Sequence, residues 1–333
     1  MKKNTDYEMA LRVLKPFCQK EIKKANWQIC SALVFFWSSL CVGFLFYETH
    51  PFLLFITIPV SMVFMCRSYV ILHDCGHKSF YRSNFWNNVG GSLVGLGIMI
   101  PHHMWRYLHN SHHMHVGNLD KRDINPEIWT MTVKEYAIAS NFKKIVYRFV
   151  RSRCSRFLIF PTVFFGVLVR LVHPKFDWRA NVSVIVYDVI YVVAFWFLFA
   201  RFGFWPVFVV YFIPLFIFCS IVSYVFYAQH QFEDTYWERN ENWTYEAATF
   251  QGSTYLLAPG WFNWLSGNVV YHNIHHLIST IPNYRLKEAQ EALEEIVDFK
   301  PISIFSVWSL LGLKLWDENK KKLVSFKEAK ATL

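Results

Sequence analysis

Acidic residues are scarce in this chain. It has 333 residues, and 34 lysines and arginines face 24 aspartates and glutamates, for a formal net charge of +10 with histidine neutral. The basic residues flank apolar stretches and carry no nucleic-acid motif, which argues against a nucleic-acid partner. They fit the lysine and arginine bias of cytoplasmic membrane loops, and a face that attracts an acidic partner or anionic headgroups. Paired cysteines are also missing. The seven present, Cys18, Cys30, Cys41, Cys66, Cys75, Cys154 and Cys219, are odd in number, irregularly spaced and without a C-x-x-C pair. That excludes a disulfide framework and a cysteine zinc site; Cys75, between two histidines, reads as a small apolar filler. No repeat of solenoid length occurs. The polar stretch 1–26 holds no apolar core followed by a small-residue cleavage site, so no cleaved leader is expected.

Apolar residues are abundant. Hydrophobic residues make up 54% and aromatics 19%, above the roughly 45–50% apolar content of soluble domains. The excess lies in long runs with few or no charges, expected as membrane spans at 27–47, 52–72, 181–200 and 204–228. The first two form a hairpin. Lys2, Lys3, Arg12, Lys15, Lys20, Lys23 and Lys24 place the N-terminus, and with it residue 73, in the cytoplasm. The stretch 89–100 is glycine-rich and too short to cross, so it reads as re-entrant or interfacial. The stretch 157–172 contains Pro161 and Arg170 and is assigned to the interface. A full crossing there would put the later histidines on the wrong side; six spans remain the alternative if both short segments are paired crossings. Trp237, Trp243, Trp261 and Trp264 suggest headgroup depth. Leu286, Ala289, Leu293 and Ile296 mark one face of a helix opened by Pro282 and Asn283. The basic tail, 320–333, reads as loose. The expectation is an all-α integral membrane protein, a single domain over 1–333. It has about four transmembrane helices in two hairpins, interfacial or re-entrant helices, and a cytosolic helical cap. It is multi-pass in the cell membrane, with N-terminus, histidine clusters and C-terminus cytoplasmic.

Three histidine clusters follow the apolar runs: His73 and His77; His109, His112 and His113; and His272, His275 and His276. Residues three and four apart share a helix face, so each cluster can aim two or three imidazoles at one point. Eight such histidines exceed the four ligands of a zinc ion. With His230, just past the last span, nine nitrogens suit two metals. Imidazole alone leaves zinc, copper, iron and nickel open. His50, His102, His103, His115 and His173 read as turn, interface or hydrogen-bonding residues. Asp74 is positioned to accept a ligand's second N–H. Asn268, four residues before His272 and so expected on the same helical face, is a candidate to hold a water near one metal. Arg67 and Asp188 are expected to pair inside the membrane, because charges there are costly.

H-x-x-x-H, H-x-x-H-H and H-x-x-H-H, in this order and between hydrophobic hairpins, resemble the membrane fatty acid desaturases over most of the chain. The stretches 227–234, Gly267-Asn268 and Pro282-Asn283-Tyr284 resemble the acyl-lipid desaturases of bacilli, a Δ5-type group. The acyl-CoA branch typically spaces its first box by four residues; three separate His73 from His77, which argues against an acyl-CoA substrate. A fused cytochrome b5 module would show H-P-G-G, whereas His173-Pro174 is followed by Lys175-Phe176. The resemblance implies a non-haem di-iron centre, cycling between Fe2+ and Fe3+, that uses O2 to place a cis double bond in a membrane phospholipid acyl chain. The position it suggests is Δ5, with Δ10 the competitor. It also implies a separate ferredoxin or flavodoxin donor. The basic stretch Lys143, Lys144, Arg148, Arg151, Arg153 and Arg156 is the candidate docking face for it. A hydroxylase, conjugase or ketolase would share the same frame. A histidine-rich metal transporter would instead place its ligands near the bilayer midplane.

Overall fold

Four helices are long and apolar enough to cross a bilayer: Ile22–Leu45, Pro51–Gly76, Trp178–Phe202 and Phe204–His230. This is a computed structural model that describes residues 2–122, 128–297 and 299–332. The architecture is mostly helical, a membrane-embedded layer beneath a helical cap. Residues 123–127, within the expected connection between the second and third spans, lie outside the described residues.

Helix α1 (Lys2–Leu14) leads into α2 (Ile22–Leu45) and α3 (Leu54–Gly76). At 1.5 Å per residue, the 24 residues of α2 reach about 36 Å, enough for the hydrocarbon core. The two helices bury a polar contact between them, with the hydroxyls of Ser39 and Ser61 2.7 Å apart. Their outer faces leave Trp27, Val34, Phe55 and Ile56 exposed, as lipid-facing surfaces do. α3 does not stop before the first histidine cluster. It continues through His73 to Gly76, so the cluster forms the last turn of the span.

The glycine-rich stretch becomes α4 (Asn84–Gly97), with Ser83 capping its start. Fourteen residues give about 21 Å, too short to cross. A Cβ on Gly91 would lie 2.4 Å from the His102 ring, so glycine is what lets α4 approach the next helix, α5 (His102–His115). After β1 (Met131–Thr132) come α6 (Val133–Ile138) and α7 (Asn141–Val150). A 63° bend then leads into Ser155–Arg170, which contains α8 (Phe160–Gly166). Helix α9 (Trp178–Phe202) follows. The last span is α10 (Phe204–Val207), a π-helical turn, and α11 (Ile213–His230). Pro214, which has no N–H to donate, stands where the π-helical turn returns to α-helix.

The cap comprises α12 (Tyr245–Gln251), β2 (Leu256–Leu257), α13 (Gly260–Leu265), α14 (His272–Leu277) and α15 (Leu286–Glu294). It continues through β3 (Ile302–Ser303), α16 (Val307–Leu310), β4 (Leu315–Asp317), β5 (Lys322–Val324) and α17 (Phe326–Thr332). β1 runs parallel to β4, which pairs antiparallel with β5; β2 pairs parallel with β3. Leu286, Ala289 and Leu293 face inward as expected, packing with Ala10, Leu14 and Ile274. The tail is not loose: β5 and α17 bury Leu323, Val324 and Ala329.

The expected membrane pair does not form. Arg67 instead donates to the Trp264 carbonyl at 2.6 Å and covers that indole. Asp188 is bonded by Arg170, which also donates to the Met99 carbonyl at 2.9 Å. The broken segment Ser155–Arg170 therefore ends on α9, bringing a nearer cation than Arg67. Trp261 and Trp264 are exposed as expected for a headgroup level, but Trp237 is buried in the cap.

Candidate metal centre

Every cluster sits on a helix end. His73 lies in the last turn of α3, with His77 just past it; His109, His112 and His113 fill the second half of α5. His230 closes α11, and His272, His275 and His276 make up most of α14. The nine histidines form two groups. His73, His77, His109, His113 and His275 are one; His112, His230, His272 and His276 are the other. Within each group the ligand nitrogens lie within 4.8 Å of one another, and none of the group members among the described residues is a carboxylate or a thiol.

The nitrogens that converge are Nε2 atoms. His275 and His113 bring theirs to 2.9 Å, His113 and His109 to 3.1 Å, His230 and His272 to 3.0 Å, and His276 and His272 to 3.1 Å. The buried Nε2 atoms of His73 and His77 have no hydrogen-bond partner, which suits ligand atoms facing a metal. A group of five imidazoles exceeds the four ligands usual for zinc, and all-imidazole donor sets suit iron.

The outer nitrogens of two rings are held. His73 Nδ1 donates to Asp74 Oδ1 at 3.2 Å, and Asp74 Oδ2 accepts from Asn283 N at 2.7 Å and Nδ2 at 2.8 Å. His230 Nδ1 donates to the Gly252 carbonyl at 2.9 Å. Both bonds put the proton on Nδ1 and leave Nε2 with a lone pair for a metal. Burial holds His77, His109, His113, His272, His275 and His276 well below the ordinary imidazole pKa, and the neighbouring imidazoles push the same way. These rings are neutral, as ligation requires.

Asn268 is not on a helix face with His272. It sits in a turn with φ +63° before α14 begins, and its side-chain amide donates to the Asn283 carbonyl at 3.3 Å. The five remaining histidines stay outside both groups. His102 is fully buried beneath Gly91, while His173 accepts from the Lys175 N–H in a turn.

Two apolar clefts meet at the histidines. One is lined by Tyr69, Trp105, Phe160, Pro161, Phe164 and Phe165 and reaches His109 and His112. The other is lined by Cys66, Val70, Val225, Phe262, Leu265 and Val269 and reaches His73 and His272. Tyr69, His109, Val222 and Phe226 border both. Trp105 stacks on His109 at 4.3 Å, and Phe226 packs against His112 and His230 at 5.3 and 4.9 Å. None of the aromatic and aliphatic residues that line the clefts was legible as functional from the sequence, although Trp105 stands one helical turn before His109.

The fatty acid desaturase family model matches residues 49–308. A fatty acid desaturase of Bacillus subtilis is 32% identical over 315 residues, covering 94% of this chain and 89% of the relative. The chain belongs to the fatty acid desaturase family. Further relatives of this desaturase include an sn-1 oleoyl-lipid 12-desaturase of Anabaena variabilis, 28% identical over 77% of the chain and 74% of its own length. An sn-1 acyl-lipid omega-3 desaturase (ferredoxin) of Synechocystis is 26% identical, over 74% and 69%. The desaturase is therefore an O2-dependent oxidoreductase of lipid metabolism, from a family that uses iron. Membership also removes the metal-transporter reading.

Proposed function

We propose that this desaturase introduces a cis double bond into acyl chains of intact membrane phospholipids, at Δ5 with Δ10 the competing position. Five histidines would hold one iron and four the other. The ferredoxin-named relatives support a ferredoxin donor, with flavodoxin the alternative. The histidines, both termini and the cap would face the cytoplasm across the cell membrane, with 1–333 a single domain. The observation that carries this reading is the meeting of two apolar clefts at both histidine groups.

The chain's own residues would bind and orient the substrate. Tyr69, Val222 and Phe226 shape the passage shared by the clefts, so that a methylene pair is held beside His109. Trp105 and Phe226 cover the imidazoles and exclude water. Asp74 and Gly252 fix the tautomers of His73 and His230. Bound iron supplies the oxidising power, drawn from dioxygen, that an unactivated C–H bond demands. Reduction of O2 to two waters takes four electrons; the acyl chain gives two and the donor two.

The docking face expected for that donor is reduced. Arg151 and Arg156 are buried, Lys144 donates to the Ala137 carbonyl and Arg148 to the Tyr136 hydroxyl. The exposed side chains of Phe142, Ile145 and Phe149 recur at helical spacing along α7, which suits a helix lying in the headgroup plane. Expression in a bacterial host with a ferredoxin system, followed by mass spectrometry with double-bond localisation, tests the activity. A new unsaturated acid that is absent with His275→Ala supports it. Hydroxylated or conjugated products, or an unchanged lipid profile despite good expression, would overturn it.

A further inference from the structure

Arg151 and Arg156 flank the 63° bend between α7 and the broken segment, and each is only 2% exposed. Arg151 Nη2 donates to Gln231 Oε1 at 2.8 Å and to the Leu313 carbonyl at 3.0 Å. Its Nε and Nη1 have no acceptor, nor do Nε and Nη2 of Arg156. Both guanidinium groups lie over the Tyr227 ring, at 5.8 and 5.7 Å, and Arg156 also covers Phe160 at 4.9 Å. A ring face attracts their charge but cannot accept the N–H groups that point outward in the guanidinium plane. Lys314 donates to the Arg151 carbonyl and adds a third cation. Burial, with Arg151, Arg156 and Arg153 nearby, pushes its ammonium down to about 8. Among the described residues, none of Arg151, Arg153, Arg156 or Lys314 has an ion pair with a carboxylate.

Buried cations without counter-ions, with four unused N–H-bearing nitrogens, are a costly arrangement for a structural role alone. Their location suggests what completes them. Phe160, under the Arg156 guanidinium, and Ser223, whose hydroxyl donates to the Arg156 carbonyl at 3.2 Å, both line the cleft that leads to His109 and His112. The stretch before the bend carries the exposed apolar stripe of an interfacial helix.

We propose that Arg151 and Arg156 form a phosphate site that takes the headgroup phosphodiester of the lipid whose acyl chain enters the adjoining cleft. The identity of that lipid as the substrate rests on the phospholipid reading above; the anion site itself does not. The fork geometry of guanidinium matches phosphate oxygens, and the bond to a charged acceptor is about twice as strong as a neutral one. With the headgroup fixed at the bend, the length of cleft from Arg156 to His109 would set which carbon is oxidised.

The test is binding rather than turnover. Delipidated, iron-loaded full-length protein in neutral detergent is titrated with a short-chain phosphatidylglycerol, with the diacylglycerol carrying the same chains, and with inorganic phosphate, and bound ligand is counted by native mass spectrometry. The phospholipid is expected to bind about tenfold tighter than the diacylglycerol. Arg151→Gln and Arg156→Gln should each bring that ratio close to unity, and Arg156→Lys should keep most of it. Equal binding of the two lipids by the unaltered protein overturns the proposal without any variant. So does a preference that survives in both glutamine variants at unchanged unfolding temperature. Phosphate that binds through these arginines without a preference for the phospholipid refutes the headgroup assignment. Protein that prefers the phospholipid yet desaturates nothing refutes the activity reading and leaves this site standing.

Discussion

Replacing Asp74 by asparagine removes no atom from the packing and changes one bond pattern. The carboxylate receives three N–H groups: His73 Nδ1 at 3.2 Å, Asn283 N at 2.7 Å and Asn283 Nδ2 at 2.8 Å. An amide offers one accepting oxygen. Two donors converge on Oδ2, so the less costly orientation keeps the oxygen there and turns NH2 toward His73. The His73 ring must then accept at Nδ1 and carry its proton on Nε2, the atom that faces the other imidazoles. Lost bonds to a charged acceptor cost about 1.5–3 kcal/mol each, and loss of such an outer partner costs about 10–100-fold in metal affinity. The expected result is a protein about 2 kcal/mol less stable, with its iron weakened by that factor at the five-histidine group alone. Iron content by inductively coupled plasma mass spectrometry, with a chelator titration, reads this directly: one iron should leave at lower chelator concentration than the other. Two irons retained at unaltered chelator midpoints, with an unchanged unfolding temperature, would refute the reasoning.

The division of the histidines gives a second outcome. His275→Ala and His276→Ala replace adjacent residues in different groups, so each should lose a different iron, and Mössbauer spectra of the two half-loaded proteins should differ; identical spectra would argue for one mixed site. Val222→Trp fills the wall shared by both clefts; desaturation should fall at least tenfold, about 1.4 kcal/mol in the barrier, with iron content unchanged, and full turnover would place the acyl chain elsewhere. Glu135 tests the cap. Its burial acts to raise the pKa, but the Arg122 fork and the Thr132 N–H outweigh that and hold it down at about 2. A depressed carboxyl stabilises fully above its unfolded pKa, and the effect is lost as pH falls through about 2. The stability gap between the protein and Glu135→Gln should therefore be flat above about pH 5 and close on acidification; a gap that widens below pH 4 would contradict the sign.

The spans and the histidine clusters were legible because each is local. An uncharged run of twenty residues, or histidines at i, i+3 and i+4, needs no knowledge of the rest of the chain. Parity of crossings was legible too, since nine histidines can meet only if the clusters share a side. Partner choice was not. Arg67 and Asp188 are both charges in spans, yet each found a neighbour that sequence distance hides, Trp264 for one and Arg170 for the other. The bond between Asp74 and Asn283 joins residues 209 apart. Arg151 and Arg156 looked like solvent-facing charges because the folding of Leu313 and Tyr227 over them leaves no local trace. Asn268 shows the reverse error: helical spacing to His272 was extrapolated through a left-handed turn that ends the helix face before it starts.

Each histidine group draws on both the early and the late part of the chain: His73 shares one with His275, and His112 shares the other with His276. At about 5–20 residues per second, the ribosome makes His73 some 10–40 s before His275. Neither site exists until α14 has been synthesised and folded back over α3 and α5. Through that interval the first two clusters stand as half-sites, open to any metal that favours two or three imidazoles, and copper and zinc outbid ferrous iron for such ligands. Correct loading is therefore a matter of timing: the stretch between His113 and His272, which brings only His230 to either group, decides how long the wrong metals have to arrive.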